Sequence, residues 1–132
     1  MSIIGVDHVQ LAMPPGGEAR AREFYCDVLE LPERTKPPEL AARGGCWFET
    51  ESVKIHLGVE QDFRPSAKAH PGLLVGDLDS VLSRCREKGF QATKPELIEA
   101  TRRAFVQDPF GNRIELLERM LPTHRSRTAP QP

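Results

Sequence analysis

Asp7-His8-Val9-Gln10-Leu11 and Ala69-His70-Pro71-Gly72-Leu73-Leu74-Val75 open two halves of one chain in the same manner. Val53-Lys54-Ile55-His56-Leu57 closes the first half, and Asn112-Arg113-Ile114-Glu115-Leu116 closes the second. His70 follows His8 by 62 residues, and Glu115 follows His56 by 59. Offsets so nearly equal indicate one unit used twice with a small insertion, and self-similarity of that length governs every later reading of the fold. Three histidines and a glutamate occupy the matching polar positions, a set suited to a metal site at a pseudo-two-fold axis.

Working outward, the spacing predicts a strand over residues 4–13, then the turn Pro14-Pro15-Gly16-Gly17. Residues 18–31 carry Ala21, Phe24, Tyr25, Val28 and Leu29 at helical spacing, with Glu18 placed for the positive end of the helix. A short extended stretch at 34–36 ends at Pro37-Pro38, a helical turn follows at 39–43, and 45–49 with 53–59 read as a hairpin. The second half repeats the order in fewer residues. A strand is expected at 70–75, a helix at 78–88 capped by Asp77 and stopped by Gly89, and a short strand at 90–94. A hairpin of 103–107 and 112–118 turns at Asp108-Pro109-Phe110-Gly111. The fold class is therefore α+β, with two tandem βαβββ modules, one at 4–60 and the other at 69–118, within a single domain of residues 1–120. Residues 121–132, including His124, lose all periodicity and read as a flexible C-terminal tail.

A chain of 132 residues is one domain's worth. A half of about 60 residues would be marginal alone, so the halves are expected to share a core, or a second chain supplies what is missing. Net charge is −1, which supplies no overall basic field for a nucleic-acid partner. No stretch approaches the roughly 20 apolar residues of a membrane span, and the first residues lack the pattern of a signal peptide. Cys26, Cys46 and Cys85 are odd in number and have no Cys-x-x-Cys spacing, which suits reduced, packed thiols in a cytoplasmic protein.

Alternation decides which side chains can meet. In a strand, residues two apart share a face. Val9, Leu11 and Met13 therefore oppose His8, Gln10 and Ala12, and Val53, Ile55 and Leu57 oppose Lys54, His56 and Gly58. Ile114 and Leu116 likewise oppose Arg113 and Glu115. The apolar sides can take the helices, and the polar sides are left to line a site. Neutral imidazole and carboxylate suit first-row divalent ions, so His8, His56, His70 and Glu115 are the candidate ligands of one metal ion. The donor set does not distinguish Ni, Co, Fe, Mn and Zn.

Ala104-Phe105-Val106-Gln107-Asp108-Pro109-Phe110-Gly111-Asn112-Arg113-Ile114-Glu115-Leu116 resembles the closing F-x-D-P-x-G-N-x-I-E-L hairpin of the vicinal oxygen chelate superfamily. That is the glyoxalase, bleomycin-resistance and extradiol-dioxygenase group, and the resemblance spans residues 4–118. It implies a curved, cup-like mixed sheet with helices outside, and usually a homodimer, some members sharing a site between chains. It also makes Glu115 the carboxylate ligand, and His8 and His70 the histidine ligands that open the modules. His56 departs from the pattern, because metal-dependent glyoxalases carry glutamate or glutamine there and glyoxalase I uses that carboxylate as its base. Retention of the other three resembles the triad of the fosfomycin-modifying enzymes and the extradiol dioxygenases. Glu115 and His56 are thus the residues expected in catalysis.

Gln10, Lys54, Arg103 and Arg113 are candidates for an anionic or oxygen-rich substrate, with Trp47 as an apolar wall. Phe63 and Arg64 of the connecting segment are candidates for a gate. The leading expectation is a metal-dependent lyase or isomerase of glyoxalase type, or a dioxygenase, acting on a small oxygen-rich molecule. The alternative is a metal-free sequestration protein of the bleomycin-resistance type.

Overall fold

The computed structural model describes residues 2–120, so the expected C-terminal tail with His124 lies outside the described residues. Strand β1 (Val9–Met13) is followed by helix α1 (Glu18–Tyr25), β2 (Glu33–Arg34), α2 (Pro38–Ala41), β3 (Cys46–Glu49) and β4 (Lys54–Val59). The second half supplies β5 (Gly72–Leu74), α3 (Leu78–Glu87), β6 (Glu96–Ile98), β7 (Thr101–Gln107) and β8 (Arg113–Arg119). The strands form two four-stranded sheets of identical order, β1-β4-β3-β2 and β5-β8-β7-β6. In each, the first strand runs parallel to the last, which requires a crossover, and α1 or α3 lies in that crossover.

Register confirms the duplication at the level of single residues. Gln10 pairs with His56, Leu11 with Leu57 and Ala12 with Gly58. Their counterparts, Gly72 with Glu115, Leu73 with Leu116 and Leu74 with Leu117, pair identically. One cluster of buried side chains serves both halves, joining Phe24, Tyr25, Phe48 and Ile55 of the first to Leu78, Leu82, Val106 and Ile114 of the second. Neither half could bury these groups alone. Cys46 and Cys85 belong to this core, and burial pushes both thiols up to about 11.

Several elements are shorter than the periodicity predicts. The first strand begins at Val9 rather than residue 4, because β4 offers partners only to Val9–Met13. The preceding Ile3, Ile4 and Val6 are 82%, 93% and 84% exposed. Helix α1 ends at Tyr25, where Leu29 bonds Phe24 O and Leu31 bonds Tyr25 O in widening turns. Glu30 adopts a φ of 61°, which reverses the chain, and Pro32 cannot continue a helix. The short strand expected at 90–94 is a single bridge, Ala92 to Val106, and β6 was not foreseen. Both lie along β7, separated by Pro95, which has no N–H to give a ladder. Asp77 does cap α3, accepting from Ser80 N at 3.2 Å.

The turn at Asp108 does more than reverse the chain. Asp108 and Asn112 are 4% and 6% exposed. Asp108 Oδ2 accepts from Tyr25 Oη of α1 at 2.7 Å, and Asn112 Nδ2 donates to Ala12 O of β1 at 2.8 Å. The second module is thereby latched onto the first.

Close approach fixes one glycine. Gly45 has a φ of 87°, and a Cβ there would lie 2.1 Å from Leu57 O. Gly45→Ala should cost roughly 2 kcal/mol or more, since strain at positive φ adds to a backbone clash. Urea denaturation measures it; an unchanged midpoint would show that the β3–β4 start can shift freely.

Candidate metal and substrate site

Residues opposite one another in a sheet register share a face. Gln10, His56, Trp47 and Arg34 are in register across β1, β4, β3 and β2, so they form one row. In the second half the equivalent row is Gly72, Glu115 and Phe105. The polar groups singled out by alternation do lie on common faces, but the structure gives them distinct partners.

In the first half the rings form a column. The guanidinium of Arg34 lies 5.8 Å from the Trp47 ring centre, Trp47 stacks on His56 at 4.2 Å, and His56 stacks on His8 at 4.4 Å. Beneath the column, Glu49 Oε2 lies 2.6 Å from His56 Nε2, and Glu49 Oε1 accepts from Arg34 Nη1 at 3.0 Å. The His56 and Glu49 side chains are each 8% exposed. Burial raises the Glu49 pKa, but hydrogen bonds from His56 and Arg34 outweigh it, and the net shift is downward. Glu49 therefore stays ionised and can only accept, so His56 Nε2 carries the hydrogen of that contact.

His8 is held differently. Its Nδ1 lies 2.8 Å from Asp7 Oδ2, and that hydrogen bond holds the Asp7 carboxyl below its usual range. Nδ1 is then the protonated nitrogen and Nε2 presents a lone pair, the arrangement by which a carboxylate orients a metal-binding imidazole. His8 and His56 are inclined by only 19°. Lone pairs in two nearly parallel ring planes run side by side, so these rings do not converge on one ion in this arrangement.

His70 and Glu115 do converge. His70 Nδ1 is 2.9 Å from Lys68 O, a group that can only accept, so Nδ1 carries hydrogen and Nε2 of the neutral ring is bare. That bare nitrogen faces Glu115 Oε1 at 3.3 Å. Two acceptors in this position repel unless a cation or a proton lies between them. Bonds of about 2.1 Å meeting at octahedral or tetrahedral angles span roughly 3.0–3.4 Å between donor atoms, so the gap has the size of one coordination edge. Glu115 Oε2 is held by Arg103 Nη2 at 2.6 Å, while the buried Arg103 Nε has no partner among the described residues. A carboxylate turned toward Arg103 would bond both nitrogens as a fork. Glu115 forgoes the second bond and turns an oxygen to His70. Gly72, in register with Glu115, puts no side chain over that carboxylate.

The structure thus pairs His70 with Glu115 and His8 with His56. Among the described residues, no group of three or more His, Cys, Asp and Glu is arranged within the chain to hold a metal ion. Of the expected substrate contacts, Trp47 and Arg103 are occupied as described, and Lys54 reaches toward Asp7 at 3.9 Å. Arg113 lies over the Phe105 ring at 4.0 Å, and Gln10 is exposed beside Gly58. Asp7 and Glu49 were not foreseen; Asp7 precedes β1 and Glu49 ends β3, a strand whose faces the sequence reading did not assign. No helix among the described residues is long and apolar enough to cross a membrane.

Paired βαβββ units with imidazole and carboxylate groups on their polar faces define the vicinal oxygen chelate class. The chain belongs to the Glyoxalase/Bleomycin resistance protein/Dioxygenase superfamily, whose family model matches residues 5–116. A Bacillus anthracis protein described as of the glyoxalase family is 42% identical, with a TM-score of 0.83 over 90% of this chain and 98% of that one. The fosfomycin resistance protein FosX of Listeria monocytogenes is 14% identical, with a TM-score of 0.70 over 88% and 93%. An antibiotic-binding protein of Streptomyces is 20% identical, with a TM-score of 0.66 over 89% and 99%. The last two likenesses are of fold. Comparison with curated proteins gave no match.

Proposed function

We propose that this protein is a metal-dependent enzyme of glyoxalase type, a lyase or isomerase, acting on a small oxygen-rich substrate. The observation that carries the reading is the bare His70 Nε2 facing Glu115 Oε1 while the buried Arg103 Nε goes unpaired. His8, His70 and Glu115 are the ligands. Two imidazoles and one carboxylate suit a divalent ion and leave positions for substrate oxygens. The ion would act as a Lewis acid on those oxygens.

The chain's own residues do the positioning. Lys68 O and Asp7 select the tautomers of His70 and His8, and Arg103 restricts Glu115 to one free oxygen. His56, committed to Glu49 and stacked on His8, sets the plane of the His8 ring rather than serving as a fourth ligand. Its Nδ1 is the nitrogen through which the base role expected at this position would act. His56→Ala should weaken metal binding about 10- to 100-fold, as loss of an orienting group does, without unfolding the domain. Equilibrium dialysis measures it. Complete loss of metal would make His56 a ligand after all.

The site closes in a homodimer, with His8 of one chain completing the His70–Glu115 pair of the other. In support, His8 follows an apolar arm, Ile3, Ile4 and Val6, that no strand among the described residues covers. Mixing His8→Ala with Glu115→Gln protein should restore about a quarter of the parent's metal capacity, because half the dimers are hybrid and one of their two sites is intact. No restoration would place the site within one chain. If the metal-free protein binds small molecules tightly and takes up no divalent ion, sequestration replaces catalysis.

A further inference from the structure

We infer that the substrate of this site carries an oxyanion, a carboxylate or phosphate on an apolar body, and that Arg64 and Arg113 receive it. The inference rests on the metal-site reading only for the word substrate; the anion pocket stands on its own residues. A cavity of about 490 Å³ lies between the modules, a volume suited to a small molecule. Val9, Leu11 and Phe63 give it apolar walls, Arg64 and Arg113 give it charge, and His70 links it to the proposed metal pair.

Among the described residues no Asp or Glu lines this cavity. Among the described residues neither arginine forms an ion pair; Arg43, Arg86 and Arg119 form none either but do not line this cavity, and Arg20, Arg22, Arg34, Arg84, Arg102 and Arg103 are all paired. With a net charge of −1 for the whole chain, two unpaired guanidinium groups in an acid-free cavity form a local positive field. A planar guanidinium offers paired N–H donors that match the spacing of carboxylate and phosphate oxygens.

Arg113 is held by its side chain, and exposed Arg64 is placed by its neighbours. Arg113 lies against the Phe105 ring at 4.0 Å, which takes the face of the guanidinium and leaves its N–H edge for a ligand. Arg64 is flanked by two residues anchored on the same hairpin turn. Phe63 packs edge-on against Phe110 at 6.4 Å, and Pro65 lies against Gly111, where a Cβ would meet Pro65 Cγ at 3.1 Å. Asn112 also lines the cavity but contributes no donor, because its amide already donates to Ala12 O and Asp108 Oδ2.

Calorimetric titration of the chelator-treated and metal-loaded protein with benzoate, phenyl phosphate and neutral benzyl alcohol tests this. The anions should bind both forms. Arg64→Met and Arg113→Met should each lose about tenfold or more in anion affinity, as removal of a charged hydrogen-bond partner does, with metal uptake unchanged. His70→Ala should lose metal and retain anion binding to the chelator-treated protein. Benzyl alcohol binding as tightly as the anions, arginine variants binding like the parent, or no anion binding by the parent would each overturn the inference. A parent that binds the anions through its arginines but takes up no metal would instead overturn the metal reading and leave this one standing.

Discussion

Glu115→Gln should abolish the stabilisation that a divalent metal confers while leaving the metal-free protein about as stable as the parent. The two effects separate because the substitution keeps the shape of the side chain and changes its chemistry. In the parent, His70 Nε2 and Glu115 Oε1 face each other at 3.3 Å, and they are two acceptors whenever the His70 ring is neutral. A glutamine can turn its amide hydrogens to His70 and its oxygen to Arg103, which relieves that opposition but removes the charge that Arg103 pairs with. These changes oppose one another, so the metal-free variant should stay within about 1 kcal/mol of the parent. Metal affinity should fall on the order of 100-fold or more, beyond what the loss of an orienting group produces. At free metal 100 times its Kd, the parent gains about 2.7 kcal/mol from binding, and the variant should gain close to nothing. Thermal denaturation with and without Mn, Co, Ni and Zn reads both quantities. Equal metal-induced shifts in parent and variant would remove Glu115 from the ligand set and with it the enzymatic reading.

Asp108→Ala should be the most destabilising single change in the fold, at about 3 kcal/mol or more, with no direct contact to the proposed site. Four donors converge on this carboxylate: Tyr25 Oη at 2.7 Å, Asn112 Nδ2 at 2.8 Å, Phe110 N at 2.9 Å and Asn112 N at 2.8 Å. Tyr25 is fully buried, and burial raises its pKa well above the ordinary value, so it remains a phenol and a donor. Each buried donor left without an acceptor costs about 1–3 kcal/mol. The loss is large beside the roughly 5–15 kcal/mol that holds a domain together. Asp108→Asn should fall between, because one oxygen still serves the two backbone amides while its new N–H groups confront Asn112.

Burial also raises the pKa of Asp108, with the hydrogen bonds from Asn112 and Tyr25 acting against it. The folded chain therefore holds this proton more firmly than the unfolded chain. The contribution of Asp108 to stability is present in full below its ordinary value of 3.8 and declines as pH rises through the higher folded value. Urea midpoints across acid pH should show that decline in the parent and lose it in Asp108→Asn. A neutral Asp108→Ala would mean that the latch between the modules holds nothing.

The same residues show why some of the site was legible and some was not. Alternation placed His8, His56 and Glu115 on polar faces, and the nearly equal offsets indicated a repeated unit, whose register, Gln10 with His56 and Gly72 with Glu115, came from the structure. Alternation and offset are properties of neighbouring residues and of repeat length. What each side chain touches was not legible. Glu49 lies seven residues before His56, yet only the β3–β4 register brings the two together. Arg103, read as a possible substrate contact, is committed to Glu115 through the β7–β8 hairpin. The turn Asp108-Pro109-Phe110-Gly111 was read as a local reversal, and its bond to Tyr25 spans 83 residues.

From its order of apolar and polar residues alone, this chain determined two βαβββ units, the faces of their strands and the donor types presented there, because strand periodicity and turn chemistry act over a few residues. Tertiary structure alone decided that His70 meets Glu115 while His56 is taken by Glu49, that Asp108 fastens the halves together, and that Arg64 and Arg113 share a cavity. Those outcomes depend on register and packing between segments far apart in the chain, where differences of a single ångström determine which of several chemically suitable partners is reached.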